Sequence, residues 1–337
     1  MANIGKKKNY LLGIDSANSN NISQYLKKIK YCLRGGWYTP FEVNRRARVD
    51  IFNYQALVKP LKFYPYVPIK ENNLYGNGYV IEKAFKNIDL RVTAIEHGLY
   101  IGSLVPERHL SNDYDNIITF SDYRKSYIKT KTDKNIITIG PYIKYAQPLY
   151  TSEEIISKKI LLGKTLVVFP SHSIDSIYAK YDINQFIQYI TSFKNEFNFN
   201  KVLVCLYWKD IALGMDQQYI SANFSVVSAG HIYDACFLSR LKTILLLADA
   251  TLTNAVGTHV GYAITLNKPT KIWIKGQVEY HPIAGNETEA AKELGMRKGF
   301  DLDSHLDAIN HIQETFSMFN DSISEKQKDC VSYYWGS

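Results

Sequence analysis

Between Glu153 and Ile274 the chain alternates short apolar, β-branched runs with longer segments whose apolar residues recur at helical spacing. No other feature narrows the possible folds as much. The spacing predicts helices over Glu153 to Leu162, Ile183 to Phe197, Tyr233 to Leu247 and Thr258 to Leu266. Strands are predicted at Thr165 to Phe169, Lys201 to Leu206, Phe224 to Val227, Ala250 to Leu252 and Thr270 to Ile274. Strands linked through helices build a parallel sheet with helices on its faces. Five strands in this rhythm read as one Rossmann-like sheet, with ligands expected outside the carboxyl ends of the strands.

The first half shows a fainter version of the same rhythm. Ile22 to Leu33 has helical spacing and stops at Gly35-Gly36. A helix around Tyr75 to Phe85, strands Arg91 to Ile95 and Ile117 to Phe120, a helix from Asp122 and a strand Ile136 to Ile139 follow. Periodicity lapses over Tyr142 to Thr151, and Ser152 with Glu153 and Glu154 reads as a helix cap and its acidic first turn. A chain of 337 residues suits two cores. The expected division is therefore a Rossmann-like domain over 1–148, a second over 149–320, and a tail over 321–337. Helical patterns at Glu287 to Leu294 and Leu302 to Phe319 precede that tail, whose Tyr333-Tyr334-Trp335 either packs back on the first domain or caps the second.

Formal net charge is +8, with Lys and Arg dense at Lys6 to Lys8, Lys27 to Lys30 and Arg45 to Arg48. That balance suits an anionic partner, whether a phosphorylated substrate, an acidic membrane surface or nucleic acid, and equally a solvated surface. No RNP, zinc-finger or helix-turn-helix signature accompanies it, so nucleic acid is not an expected partner. Arg45, Arg46 and Arg48 suit an anionic lipid or glycan carrier or a solvated helix face. Cys32, Cys205, Cys236 and Cys330 are far apart, which points to neither a zinc site nor a disulfide framework. No apolar run approaches the roughly 20 residues of a membrane span, and the start is too short in apolar residues for a signal peptide. The expectation is a cytoplasmic protein, with peripheral contact at the inner face of the membrane as a further option. GxGxxG, P-loop, GxSxG, HExxH and isolated DxD motifs are all missing, so neither a metal nor a cofactor is expected.

Four loops at the ends of predicted strands carry the candidate chemistry. Thr253-Asn254-Ala255-Val256-Gly257-Thr258 is a small, hydroxyl-rich turn opening a helix, where free N–H groups and the helix dipole suit a phosphate. His259 follows it, facing the phosphate or packing. Phe169-Pro170-Ser171-His172-Ser173 places two hydroxyls and an imidazole after the first strand of the second half, as ligand contacts or as caps. Ser228-Ala229-Gly230-His231 follows another strand, and Gly230 permits close approach to a base or ribose, or a plain turn. Asp234 is an alternative cap for the next helix. Glu96-His97-Gly98 closes a strand of the first half; a carboxylate and an imidazole there suit removal of a proton from an acceptor hydroxyl. Arg108 and His109, a few residues on, are placed to hold an acceptor.

The stretch ADATLTNAVGTHVGYAITLNKPTKIW, through Asp249, the hydroxyl-rich turn, Ala263 and Pro269, resembles a segment of GT-B glycosyltransferases. Forms of it occur in polyol-phosphate polymerases, in capsule sialyl- and Kdo-transferases, and in non-hydrolysing sugar-nucleotide 2-epimerases. FPSHS loosely resembles the His-Pro motif of bacterial sialyltransferases, although here Pro170 precedes His172. EHG is similar both to the acidic base motif of those enzymes and to the His-Gly of polyol-phosphate polymerases. The resemblance implies an α/β fold of two Rossmann-like domains facing a central cleft. It further implies metal-independent, inverting transfer of a sugar from a nucleotide-sugar to a glycan or lipid-linked oligosaccharide in bacterial capsule or O-antigen synthesis. His97 would be the base, supported by Glu96. Ser171, His172, Ser173, Ser228, Gly230, His231, Thr253, Asn254, Gly257, Thr258 and His259 would hold the donor, and Arg108 and His109 the acceptor. CMP- and UDP-type donors both remain open, as do an epimerase-like activity and a non-catalytic glycan-binding role.

Overall fold

Every residue from Thr165 to Phe169 is buried, as expected of a central parallel strand covered on both faces. A computed structural model describes residues 40–61, 70–112, 114–174, 176–275, 278–283, 285–288 and 302–337. The expected helix at Ile22 to Leu33 with its Lys27 to Lys30 cluster, the Lys6 to Lys8 cluster before it and most of Glu287 to Leu294 lie outside these residues.

The first half holds strands β1 (Thr93–Ile95), β2 (Asn116–Thr119) and β3 (Asn135–Thr138), which form a parallel sheet in the order β1-β2-β3. Helices α1 (Asn77–Ala84) and α2 (Asp122–Lys129) flank it. Ser121 caps α2 by accepting the Arg124 N–H at 3.3 Å. Helix α3 (Ser152–Leu162) opens the second half. Its cap is Thr151, one residue before the expected Ser152, because Thr151 and Glu154 close a reciprocal capping box.

Strands β4 (Thr165–Phe169), β5 (Ile177–Lys180), β6 (Lys201–Cys205), β7 (Ser225–Val227), β8 (Ala250–Thr253), β9 (Thr270–Ile272) and β10 (Glu279–Pro282) follow. Helices α4 (Ile183–Glu196), α5 (Phe237–Leu247) and α6 (Thr258–Thr265) lie between them. The main sheet is parallel throughout, in the order β7-β6-β4-β8-β9. Strand order therefore reverses between β4 and β8, the switch point at which open α/β sheets bind ligands. β5 and β10 form a separate antiparallel pair that the alternation does not announce. Helix α5 starts at Phe237 rather than the expected Tyr233, because Asp234 accepts the Cys236 N–H and is drawn into ion pairs with Arg46 and Arg240.

One apolar cluster runs through both halves, from Ile95, Ile118 and Phe120 to Val167, Leu203 and Val260. Helices α7 (Leu302–Thr315) and α8 (Glu325–Trp335) complete it. The α8 end packs on each half. Tyr334 lies edge-on to Tyr123 of α2, and its carbonyl accepts the Ser121 hydroxyl at 2.8 Å. Trp335 is fully buried against Gly261 of α6, where a Cβ would fall 2.3 Å from the indole. The fold is thus α/β, with two Rossmann-like sheets meeting across a central cleft, the arrangement implied by the GT-B resemblance. No helix among the described residues is long and apolar enough to cross a membrane.

Candidate functional site

At the switch point the loops after β4 and β8 are tied together. The Asn254 side-chain oxygen accepts both the Ser171 N–H (2.6 Å) and the Ser171 hydroxyl (3.1 Å). The Asn254 amide nitrogen is then buried without a partner, an uncommon state that a ligand oxygen would relieve. The Thr253 hydroxyl closes its own turn, donating to the Ala255 carbonyl and accepting the Ala255 N–H. Its one hydrogen is thereby used, so His259, 3.0 Å away, donates from Nε2–H. His259 also stacks on Phe169, and burial, then the neighbouring His172, lower its pKa to about 3. Of the two expectations for His259, packing describes its surroundings.

Gly257 occupies the cap position of α6 and supplies no side-chain oxygen to close the first helical turn. Its backbone is extended; glycine is needed because a Cβ would lie 2.8 Å from the His259 ring. The turn therefore presents backbone at the positive end of α6 with the Asn254 amide nearby, a cradle suited to phosphate. His172 is exposed beside it, its ring 4.6 Å from Tyr207. Ser173 is turned inward, its N–H donating to Asp210 at 3.0 Å and its hydroxyl accepting the Ala179 N–H. Burial raises the Asp210 carboxyl above its ordinary range.

Across the cleft His97 is half-buried at the end of β1. Burial, then the Arg108 guanidinium, lower its pKa to about 3, so the ring is a neutral imidazole. The Tyr100 hydroxyl lies 3.3 Å from His97 Nδ1 and accepts from Arg108 at 3.1 Å. The two edges meet directly: the Leu99 N–H donates to the Thr258 hydroxyl at 2.9 Å, and a Cβ on Gly98 would come within 3.1 Å of the same oxygen. Tyr75 completes the wall. Its φ of 58° is rare for a bulky residue, and its N–H is pinned to the Ile232 carbonyl. This holds its ring 5.8 Å from His97 and 6.4 Å from Tyr207, so a row of rings spans the cleft.

Other expected residues are engaged elsewhere. Glu96 does not reach His97: it is fully buried, paired bidentately with Arg124 at 2.8–3.1 Å, and it accepts the Thr119 hydroxyl at 2.6 Å. His109 is buried beneath Tyr100, out of an acceptor's reach, whereas Arg108 stays partly open. Ser228 donates to the Leu206 carbonyl and accepts the Gly230 N–H. Gly230, at φ 104°, leaves room for Arg240, and the His231 N–H bonds the Leu57 carbonyl. That loop thus packs on the 51–57 segment instead of opening toward a base. Arg46 is likewise internal, 2.6 Å from Asp234, and Arg45 pairs with Glu42. Asp249, at the other end of β8, accepts the Thr165 N–H and pairs with Lys159. Sequence reasoning missed Tyr75, Tyr100, Tyr207 and Asp210. Tyr207 and Asp210 follow a predicted strand end, the one signal that points to them.

No protein-family model matches the chain, and no curated protein matches it. Among solved structures it is similar to the wall teichoic acid polymerase TagF, at 12% identity and a TM-score of 0.34 over 66% of this chain and 53% of that one. A variant of the same polymerase, soaked with CDPG, matches at 14% identity and a TM-score of 0.36 over 66% and 54%. The sucrose-phosphate synthase of Thermosynechococcus elongatus matches at 14% and 0.29 over 59% and 54%. The chain spans about half the length of each of these structures.

Proposed function

We propose that the chain is a glycosyltransferase that moves a sugar from a nucleotide-sugar to a hydroxyl of a glycan or lipid-linked acceptor, in bacterial surface polysaccharide synthesis. The observation that carries this reading is the Leu99 N–H to Thr258 hydroxyl bond, which seats a neutral imidazole beside a phosphate cradle. Either edge alone would suit simple binding; the two together suit displacement at a carbon bonded to phosphate.

The donor phosphate lies at the start of α6, against backbone N–H groups and the Asn254 amide. In the productive tautomer His97 Nδ1–H donates to the Tyr100 oxygen, whose second lone pair accepts from Arg108. His97 Nε2 is then free to take the acceptor proton. The acceptor oxygen bonds to the anomeric carbon as the bond from that carbon to the donor phosphate breaks, and the electron pair leaves on the phosphate. Displacement from the opposite side inverts the anomeric centre. Glu96 holds the loop through Arg124 and touches neither substrate.

His97→Ala tests the assignment. Loss of a positioned general base lowers transfer by about 10²–10⁴-fold, while nucleotide affinity, set across the cleft, changes little. Full transfer by His97→Ala would refute the base assignment.

A further inference from the structure

We infer that the acceptor is anionic, with a phosphate or carboxylate group seated on Arg108 at the first-half wall of the cleft. This names the substrate class for the transfer reading above and rests on it.

Arg108 carries a charge at every physiological pH, yet its one hydrogen-bond partner among the described residues is the neutral Tyr100 hydroxyl. Its Nε–H is buried and bonded to nothing. The buried acidic group of the wall, Glu96, is committed to Arg124 and Thr119, and the exposed Glu107, next to Arg108 in the chain, forms no ion pair with it among the described residues. The remaining neighbours add no counter-charge: His97 and His109 are neutral, lowered first by burial and then by Arg108, and the Tyr100 hydroxyl is raised to about 12. A partly buried guanidinium left without a carboxylate is costly, whereas a ligand anion would supply both the missing charge and an acceptor for Nε–H. Among the described residues the buried arginines Arg46, Arg124 and Arg240 all have carboxylate partners, whereas the partly buried Arg108 has none. Its place follows from the Arg108–Tyr100–His97 chain of contacts, which sets an anion at Arg108 next to the imidazole that meets the acceptor hydroxyl. Neutralising Arg108 would also remove one of the two causes that weaken His97 as a base, so acceptor binding would raise its basicity.

The test is calorimetric titration of inorganic phosphate, glucuronate and uncharged glycerol into the whole chain and into Arg108→Gln. Phosphate also suits the turn before α6, so the wild type should take it at two sites and Arg108→Gln at one. If the group is a carboxylate, glucuronate binds the wild type at one site and Arg108→Gln at least about tenfold more weakly. Glycerol binds neither protein. Arg108→Gln should melt at or above the wild-type temperature, since it removes an unpaired charge, and Arg108→Lys should keep part of the anion affinity. Equal anion binding by wild type and Arg108→Gln would overturn the inference, as would an Arg108→Gln protein that melts several degrees lower. An anion site lost in Arg108→Gln, in a chain that binds no nucleotide, would defeat the transfer reading and not the site. Nucleotide binding with unaltered anion binding in Arg108→Gln would defeat this inference alone.

Discussion

Replacing Glu96 with Gln separates a structural carboxylate from a chemical one. Both Glu96 and Arg124 are fully buried, and among the described residues Glu96 is the only carboxylate on that guanidinium; its other hydrogen-bond partners are the Gly102 and Leu104 carbonyls. Glutamine keeps the shape but leaves the Arg124 charge uncompensated, and breaking a buried pair from one side costs about 3–5 kcal/mol. At about 2.1 cal/mol/K per residue, the unfolding entropy of a 337-residue chain is about 0.7 kcal/mol/K, so Tm should fall by about 4–7 °C. Thermal unfolding of Glu96→Gln measures this, with Glu96→Leu/Arg124→Met as the partner experiment. That double variant removes both charges and should recover most of the loss. A Glu96→Gln protein that melts like the wild type yet has lost transfer would refute the structural role.

Two further outcomes follow from the packing and the buried histidines. Gly261→Ala would ordinarily stabilise a helix, but its Cβ would fall 2.3 Å from the Trp335 ring, so it should destabilise by about 1–3 kcal/mol. In a Trp335→Ala background, where urea unfolding gives the comparison, that penalty should vanish; its persistence would show that α8 does not seat there. His97 and His259 are each lowered from 6.5 to about 3, first by burial. The unfolded chain therefore binds protons that the folded chain does not once pH falls below 6.5. Stability is complete above that value and declines as pH drops toward 3, by roughly 1.4 kcal/mol per histidine between pH 7.5 and 5.5. Urea midpoints across this range should fall less steeply for His259→Asn; parallel slopes would contradict the assignment.

The second sheet is legible in the chain because burial on both faces leaves β4 and β6 with apolar runs, LVVF and VLVC, and β8 with small and β-branched residues, and β4 has the expected bounds. The β5–β10 pair is not, since IYAK and EYHP are partly polar and their pairing joins segments about a hundred residues apart. Loop positions were readable from strand ends, but the direction of each side chain was not. Ser228 and His231 turn inward because Gly230 admits Arg240 and because the 51–57 segment covers them, both effects of distant sequence. Glu96 is claimed by Arg124, 28 residues away, whereas His97, next to it, faces the cleft. The positive φ of Tyr75 and of Gly76 goes with the approach of this turn to Ile232 and Ala235, which no local pattern announces.

On the proposed reading, the crevice beyond β4 and β8 holds the phosphate of a nucleotide. Thermal shift against CMP, UDP, GDP and TDP, on wild type and Asn254→Leu, tests it most directly, each shift being read against that protein's own unliganded Tm. At a hundredfold excess over Kd a bound nucleotide adds about 2.7 kcal/mol, a rise of about 4 °C for a chain of this size. Such a rise is expected with at least one nucleotide in the wild type, and its loss in Asn254→Leu. No rise with any of the four, or the same rise in both proteins, would contradict that reading.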